Sequence, residues 1–167
     1  VTHKQRIAEW LWEESRGIFA NRMINGEFVS TLAPTSFFPM AAGIGSMDQD
    51  QRMIHGYLNN PSKFGGEFGL PSVTRDDPTY SDNVYWRGRI WAPLNFWVWQ
   101  GLKRQGYVKE ATQLAEQSWG LFEKNWKQRL CGENFNAETG EVLDQPDTDG
   151  FYSWGALMAA MLSLIHI

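Results

Sequence analysis

Two helical patterns joined by almost nothing dominate this sequence. From Trp91 to Gln105, and again from Val108 to about Leu130, apolar residues recur at three- and four-residue steps, and Gly106 supplies the stop between them. A connection that short obliges the helices to fold back antiparallel, so their apolar faces must meet. On the second helix that face is Ala111, Leu114, Ala115, Ser118, Leu121 and Phe122. The chain has 167 residues, about one domain's worth and enough to bury a sizeable core around such a hairpin.

The remaining segments extend the same rhythm. Ile7, Trp10, Leu11, Ile18 and Phe19 recur at helical spacing, which predicts a helix over Lys4 to Met23, broken by Asn25-Gly26. A loop then passes into a short apolar helix near Ser36 to Ile44. Ser46 with Gln49 three residues on reads as a capping box, opening a helix to about Leu58 that Asn59-Asn60-Pro61 stops. Ser62 to Arg89 is a long Gly- and Pro-studded connection, and Cys131 to Gly150 a second one, before a last helix from Phe151. Loops of that length inside a compact domain are usually functional or disordered, and their aromatics argue against disorder. No stretch alternates apolar and polar for long, so the class is all-α, with strands expected only as short excursions within loops. Helix pairs followed by long decorated loops suit a ring of α-hairpins whose loops collect at one end, although no repeat is legible from residues alone.

Composition closes several routes. The net charge of −4 offers no sequence-wide attraction to phosphate backbones, so nucleic acid is not an expected partner. Cys131 stands alone and His3, His55 and His166 lack ligand spacing, which excludes an internal disulfide and leaves no metal site or cofactor to expect. No apolar run approaches a membrane span, and VTHKQRIAEW lacks the layout of a signal peptide. The lone thiol is compatible with the cytoplasm, while a signal ahead of Val1 would not be visible. The chain opens inside a helical pattern without Met, as a cut chain would. Its last six residues, Leu162 to Ile167, read either as an ordinary apolar helix end or as the translation of a common sequencing-library adapter, a non-native tail.

The two decorated loops carry the chemistry. In YWRGRIWAPLNFWVW, Trp97 and Trp99 lie inside the helix and read as core. Tyr85, Trp86 and Trp91 stand at the loop-to-helix junction, where Gly88 lets backbone come close and Pro93 suits a first helical turn. Aromatic faces beside Arg87 and Asn95 fit a sugar ring, whose C–H face stacks and whose hydroxyls take the polar groups. Arg87 could instead pair with a loop acid such as Asp76 or Asp77. In the second loop, Glu133, Glu138, Asp144, Asp147 and Asp149 match no standard calcium loop, and most of them read as solvated. Glu133 differs: Gly132, Asn134 and Phe135 around it could hold a carboxylate in a partly shielded pocket, as a base or as a hydrogen-bond acceptor for a hydroxyl.

The segment YWRGRIWAPLNFWVWQGLKRQGY, followed by ENFNAETGE and then by DGFYSWGALMAA, resembles the C-terminal part of the catalytic domain of glycoside hydrolase family 63. The upstream phrases FFPMAAGI and GEFGLPSVTRDDPTY resemble it too, so the likeness spans residues 1–161. That family includes processing α-glucosidases and mannosylglycerate hydrolases. The resemblance implies the C-terminal portion of an (α/α)6 toroid, an inverting mechanism on an oligosaccharide or small glycoside, and Glu133 as general base. Inversion needs a second carboxyl, the acid, about 6.5–9.5 Å from the base so that water fits between. In the family this is an Asp on an earlier hairpin that no segment here matches, so the acid is expected on a missing N-terminal half. Tyr152 and Trp154 could close the far side of the sugar subsite, although Trp154 could equally be core. Rival expectations are a trehalase-like toroid hydrolase, a carbohydrate-binding module without turnover, and a helical interaction protein.

Overall fold

A computed structural model describes residues 2–164; the last three residues of the suspected tail, 165–167, lie outside them. Helices dominate. α1 (His3–Leu11) leads into a two-stranded hairpin, β1 (Trp12–Glu13) and β2 (Ile18–Phe19). A 3-10 turn, Pro34–Phe37, then runs into α2 (Phe38–Ala41). α3 (Met47–Met53) continues as a π-helical turn to Leu58. The hairpin pair is α4 (Ala92–Arg104) and α5 (Val108–Trp126), and α6 (Leu157–Ser163) closes the described chain.

The helix expected over Lys4 to Met23 stops at Leu11. Trp12 turns extended (ψ 121°), and the chain doubles back with Trp12 opposite Phe19 and Glu13 opposite Ile18. Gly17, at φ 69°, allows the reversal, and Gly17 N–H donates to Glu13 O at 2.8 Å. Ile18 and Phe19 reach the core by this hairpin and not along a helical stripe, so the seven-residue spacing to Leu11 is coincidental. The short helix and the Ser46 capping box fall where the pattern places them; Ser46 Oγ accepts from Gln49 N–H and Gln49 Oε1 from Ser46 N–H.

The core lies where α2, α4, α5 and α6 converge. Val98, Trp99 and Leu102 of α4 face Ala111, Leu114, Ala115 and Leu121 of α5, with Met158 and Met161 of α6 filling the gap. Of the two tryptophans expected inside, Trp99 is fully buried while Trp97 is about half exposed, on the face of α4 turned toward Phe38. Gly106 sits at φ 82° and ends α4. This frame sends both long loops to one place. The start of α4 anchors the first, and Asn125 of α5 anchors the second by donating to Gly140 O at 2.8 Å. Among the described residues no helix is long and apolar enough to cross a membrane.

Candidate active site

The first loop ends in a tight reversal. The 3-10 turn Tyr80–Asp82 closes on Asn83, which is left-handed at φ 49°. Val84 and Arg87 then exchange backbone hydrogen bonds of 3.1 and 2.8 Å, leaving Tyr85 and Trp86 as the two-residue tip. Tyr85 sits at φ 48°. For a bulky residue that conformation costs on the order of 1–3 kcal/mol and must be held from outside. Trp91 does the holding. Its indole N–H donates to Tyr85 O at 2.9 Å, its ring meets Tyr85 edge-on at 4.9 Å, and Trp86 stacks on it at 3.8 Å and 13°. Gly88 is required as well: it lies at φ 97°, and a Cβ there would stand 2.1 Å from Tyr80 O.

This arrangement revises part of the expected sugar wall. Tyr85 and Trp86 are open to solvent, at 41% and 47% exposure, and form the free face. Trp91 is 1% exposed and lies beneath Trp86, a support where a wall residue was expected. Asn95 is fully buried, and its amide is used up by backbone: Oδ1 accepts from Leu70 N–H at 2.8 Å, and Nδ2 donates to Leu70 O and Trp91 O. It cannot also orient a hydroxyl. Arg87 is exposed and pairs with Asp82 at 3.1 Å. Asp76 pairs instead with Lys63, and Asp77 accepts from the backbone and hydroxyl of Thr79.

The second loop is pinned by its own main chain. Cys131 N–H donates to Gly150 O at 3.0 Å, Tyr152 N–H to Cys131 O at 2.7 Å, and Glu133 N–H to Asp149 O at 2.9 Å. This short ladder seats Glu133 beside the turn that bears Tyr152 and Trp154. Trp154 Nε1–H donates to Glu133 O at 2.8 Å, and the Tyr152 and Trp154 rings lie 4.2 Å apart. The Glu133 side chain is half-buried, and Oε2 receives a long 3.4 Å contact from Asp149 N–H. Gly155 makes the close approach possible, since a Cβ there would lie 2.6 Å from Gly132 O. Trp154 lies 6.0 Å from Trp91, so the two aromatic groups meet under the open faces of Trp86 and Tyr152.

The two loops are also joined directly. Ile90 and Phe135 exchange backbone hydrogen bonds of 2.7 and 3.0 Å. Beside them lies Arg89, 0% exposed and outside the residues expected at the site. Its guanidinium donates to Asn134 Oδ1, to Asn83 Oδ1 at 3.1 Å and to Val142 O at 3.0 Å, and pairs with Asp144 at 2.9 Å. Two of the acids expected in solvent are therefore engaged. Asp144 also accepts from Asn83 and Asn136, and Glu138 accepts from Arg75 and the Tyr80 hydroxyl. Burial pushes the Asp144 carboxyl up, but the donors from Asn136, Asn83 and Arg89 outweigh it and hold it below the usual range. Burial, reinforced by Glu138, pushes the Tyr80 phenol up. The available signal for Arg89 was its setting, a cation between Gly88 and the apolar run Ile90-Trp91. Among the described residues no group of three or more His, Cys, Asp or Glu is placed to hold a metal ion.

What the arrangement offers chemically is one half-buried carboxylate on a main chain tied to Trp154, in the loop that adjoins the open aromatic rings. Comparison with known proteins bears on what it serves. The mannosylglycerate hydrolase MGH1-like glycoside hydrolase domain matches residues 1–155. A cytosolic neutral trehalase from Kluyveromyces lactis is 34% identical over 67% of this chain and 15% of its own length. The mannosylglycerate hydrolase MGH1 of Selaginella moellendorffii is 28% identical over 66% of this chain and 22% of its own. The crystal structure of a GH63 mannosylglycerate hydrolase from Thermus thermophilus, in complex with Tris, superposes with a TM-score of 0.76. It shares 23% identity and is matched over 93% of this chain and 35% of that one. The chain thus spans less than a quarter of these two curated relatives and about a third of the solved structure.

Proposed function

Because the chain belongs to the mannosylglycerate hydrolase MGH1-like glycoside hydrolase family, we propose that it forms the C-terminal portion of an (α/α)6 toroid that hydrolyses α-glycosidic bonds with inversion. Glu133 is the general base. Tyr85, Trp86 and Tyr152 form the floor on which the sugar ring stacks, Trp91 and Trp154 support them, and Arg87 stands at the rim. The observation that supports this is the ladder from Cys131 to Tyr152, which ties the main chain of the half-buried Glu133 to the segment bearing Tyr152 and Trp154. A base of this kind takes a proton from water as the water attacks the anomeric carbon. It must stay ionised to do so.

The acid that protonates the leaving oxygen belongs to the same toroid outside these residues. Asp144 is unsuited to that part, since its donors hold it ionised. Substrate is a small α-glycoside, with mannosylglycerate the first candidate. Trehalose is the second, favoured by the likeness to the Kluyveromyces enzyme.

Assays on mannosylglycerate, trehalose and an aryl α-glucoside test this. Turnover by the chain alone is expected to be weak, because general acid assistance is typically worth about 10²–10⁴ in rate. Complementation with the rest of a family toroid should restore it, and Glu133→Gln should then abolish it. Undiminished hydrolysis by the Glu133→Gln protein would sink the assignment. A sugar that perturbs tryptophan fluorescence without product, even after complementation, would mark a binding module instead.

A further inference from the structure

We propose that the buried Arg89–Asp144 pair is a positioning element that locks the aromatic turn and the base loop into one unit, so that where Glu133 points depends on it. The proposal rests on the assignment of Glu133 as base.

A buried guanidinium is costly unless its donors are satisfied, and an apolar replacement of the same volume is often at least as stable. Burial alone therefore does not explain an arginine here. Its partners do. They come from both loops, and the asparagines among them lie close in sequence to site residues. Asn83 precedes Tyr85 by two positions and holds the left-handed conformation that starts the reversal. Its Oδ1 accepts from Arg89 at 3.1 Å, and its Nδ2 donates to Asp144 Oδ2 at 2.9 Å. Asn134 follows Glu133 directly, and its Oδ1 accepts from Arg89 Nε–H and from the Thr148 hydroxyl. Asn136 donates to the same Asp144 oxygen at 2.7 Å, while its Oδ1 accepts from the backbone of Glu138 and Thr139. The ion pair is thus the shared centre of a fan of asparagines.

Glu133 gives this arrangement its consequence. Among the described residues its carboxylate receives one long hydrogen bond, the 3.4 Å contact from Asp149. Side-chain contacts do not aim it; its backbone does. That backbone is held on one side by the Asp149 ladder and on the other by Asn134, which Arg89 grips. The same guanidinium reaches the turn that carries Tyr85 and Trp86. Distance between base and floor is then set by this side chain together with the Ile90–Phe135 main-chain bridge, and displacement of about 1 Å in such a constellation can cost about 100-fold in rate.

Two indole N–H groups report one on each side, each through its own carbonyl: Trp91 donates to Tyr85 O on the aromatic turn, and Trp154 to Glu133 O on the base loop. Their NMR resonances provide the test on this chain. Asp144→Asn and Arg89→Lys should shift both. Asn83→Gly, which tolerates the left-handed backbone and removes the amide, keeps the test valid should the buried variants unfold, and should also shift both. Movement of the Trp91 resonance alone in Asn83→Gly, with Trp154 unchanged, overturns the proposal. In the complemented assay, Arg89→Lys should lower kcat by about 10- to 100-fold with KM retained. A raised KM at unchanged kcat overturns it as well. Should Glu133→Gln remain active, the base assignment fails, and the indole pair still decides whether the loops are coupled.

Discussion

Around Glu133 the chain is fixed by main-chain pairing, with Cys131, Glu133 and Tyr152 each donating to a carbonyl of the facing segment. Around Trp86 a single main-chain pair, Val84 with Arg87, closes the tip, and side chains hold it down: a strained Tyr85 at φ 48° is pinned by the indole and ring of Trp91. A backbone ladder tolerates little movement without breaking several bonds together. Stacked rings can slide or part at modest cost. The difference suits a site in which a base needs a fixed position and a sugar platform needs to accommodate its ligand.

The sharpest way to break this contrast is to add one methyl group to each loop. Gly88→Ala would drive a Cβ to 2.1 Å from Tyr80 O at φ 97°, so both strain and clash oppose it. Gly155→Ala would meet Gly132 O at 2.6 Å. Each is expected to destabilise by more than about 2 kcal/mol, Gly88→Ala the more, as read by urea unfolding. Both indole signals should move in each, with Gly88→Ala moving that of Trp91 the more and Gly155→Ala that of Trp154. If both substitutions move the same resonance the more, the two loops are not held in the different ways described.

A smaller effect should come from acid. Asp144 has its folded pKa depressed, with burial opposed and outweighed by Asn136, Asn83 and Arg89. Its contribution to stability is therefore fully present above the ordinary carboxylate range and is lost as pH falls through the depressed value. Thermal unfolding followed from pH 7 downward should show the Trp86–Trp91 stack loosening below that range, with Asp144→Asn removing that part of the pH dependence. A stack that ignores both the pH and the substitution would detach the aromatic turn from Asp144.

Much of the helical frame was legible in the sequence, because α4, α5 and their glycine stop are local statements that apolar spacing and backbone freedom make directly. Trp97 and Trp99 show the limit. Two residues apart on one helix, they point to different neighbours, and spacing along the helix does not say which side the rest of the fold covers. The first helix looks longer in sequence than it is because Ile18 and Phe19 satisfy a helical spacing that a hairpin satisfies equally well. At the candidate site, Tyr85 and Trp86 are marked by their aromatic chemistry at a loop-to-helix junction, while Glu133 as base is what the family resemblance implies. Asn95 was misjudged since a polar residue near aromatics looks the same whether it meets a sugar or the carbonyl of Leu70. The pairing of Arg89 with Asp144 is not legible because the two stand on different loops, beyond any pattern of spacing.

The mildest test bears on the tip itself. Tyr85→Asn replaces a bulky residue at φ 48° with one that tolerates that conformation, which relieves strain on the order of 1–3 kcal/mol. It also removes two edge-on aromatic contacts, with Trp86 and Trp91, each worth about 0.5–1.5 kcal/mol. The opposing contributions are of similar size, so stability should change by less than about 1 kcal/mol. Sugar affinity, followed by tryptophan fluorescence, should nonetheless fall, because the open face of the floor loses one of its rings. A large loss of stability would make Tyr85 a structural residue whose conformation serves packing. Unchanged stability with unchanged affinity would leave the strain at position 85 without a function, and would shift the floor to Trp86 and Tyr152.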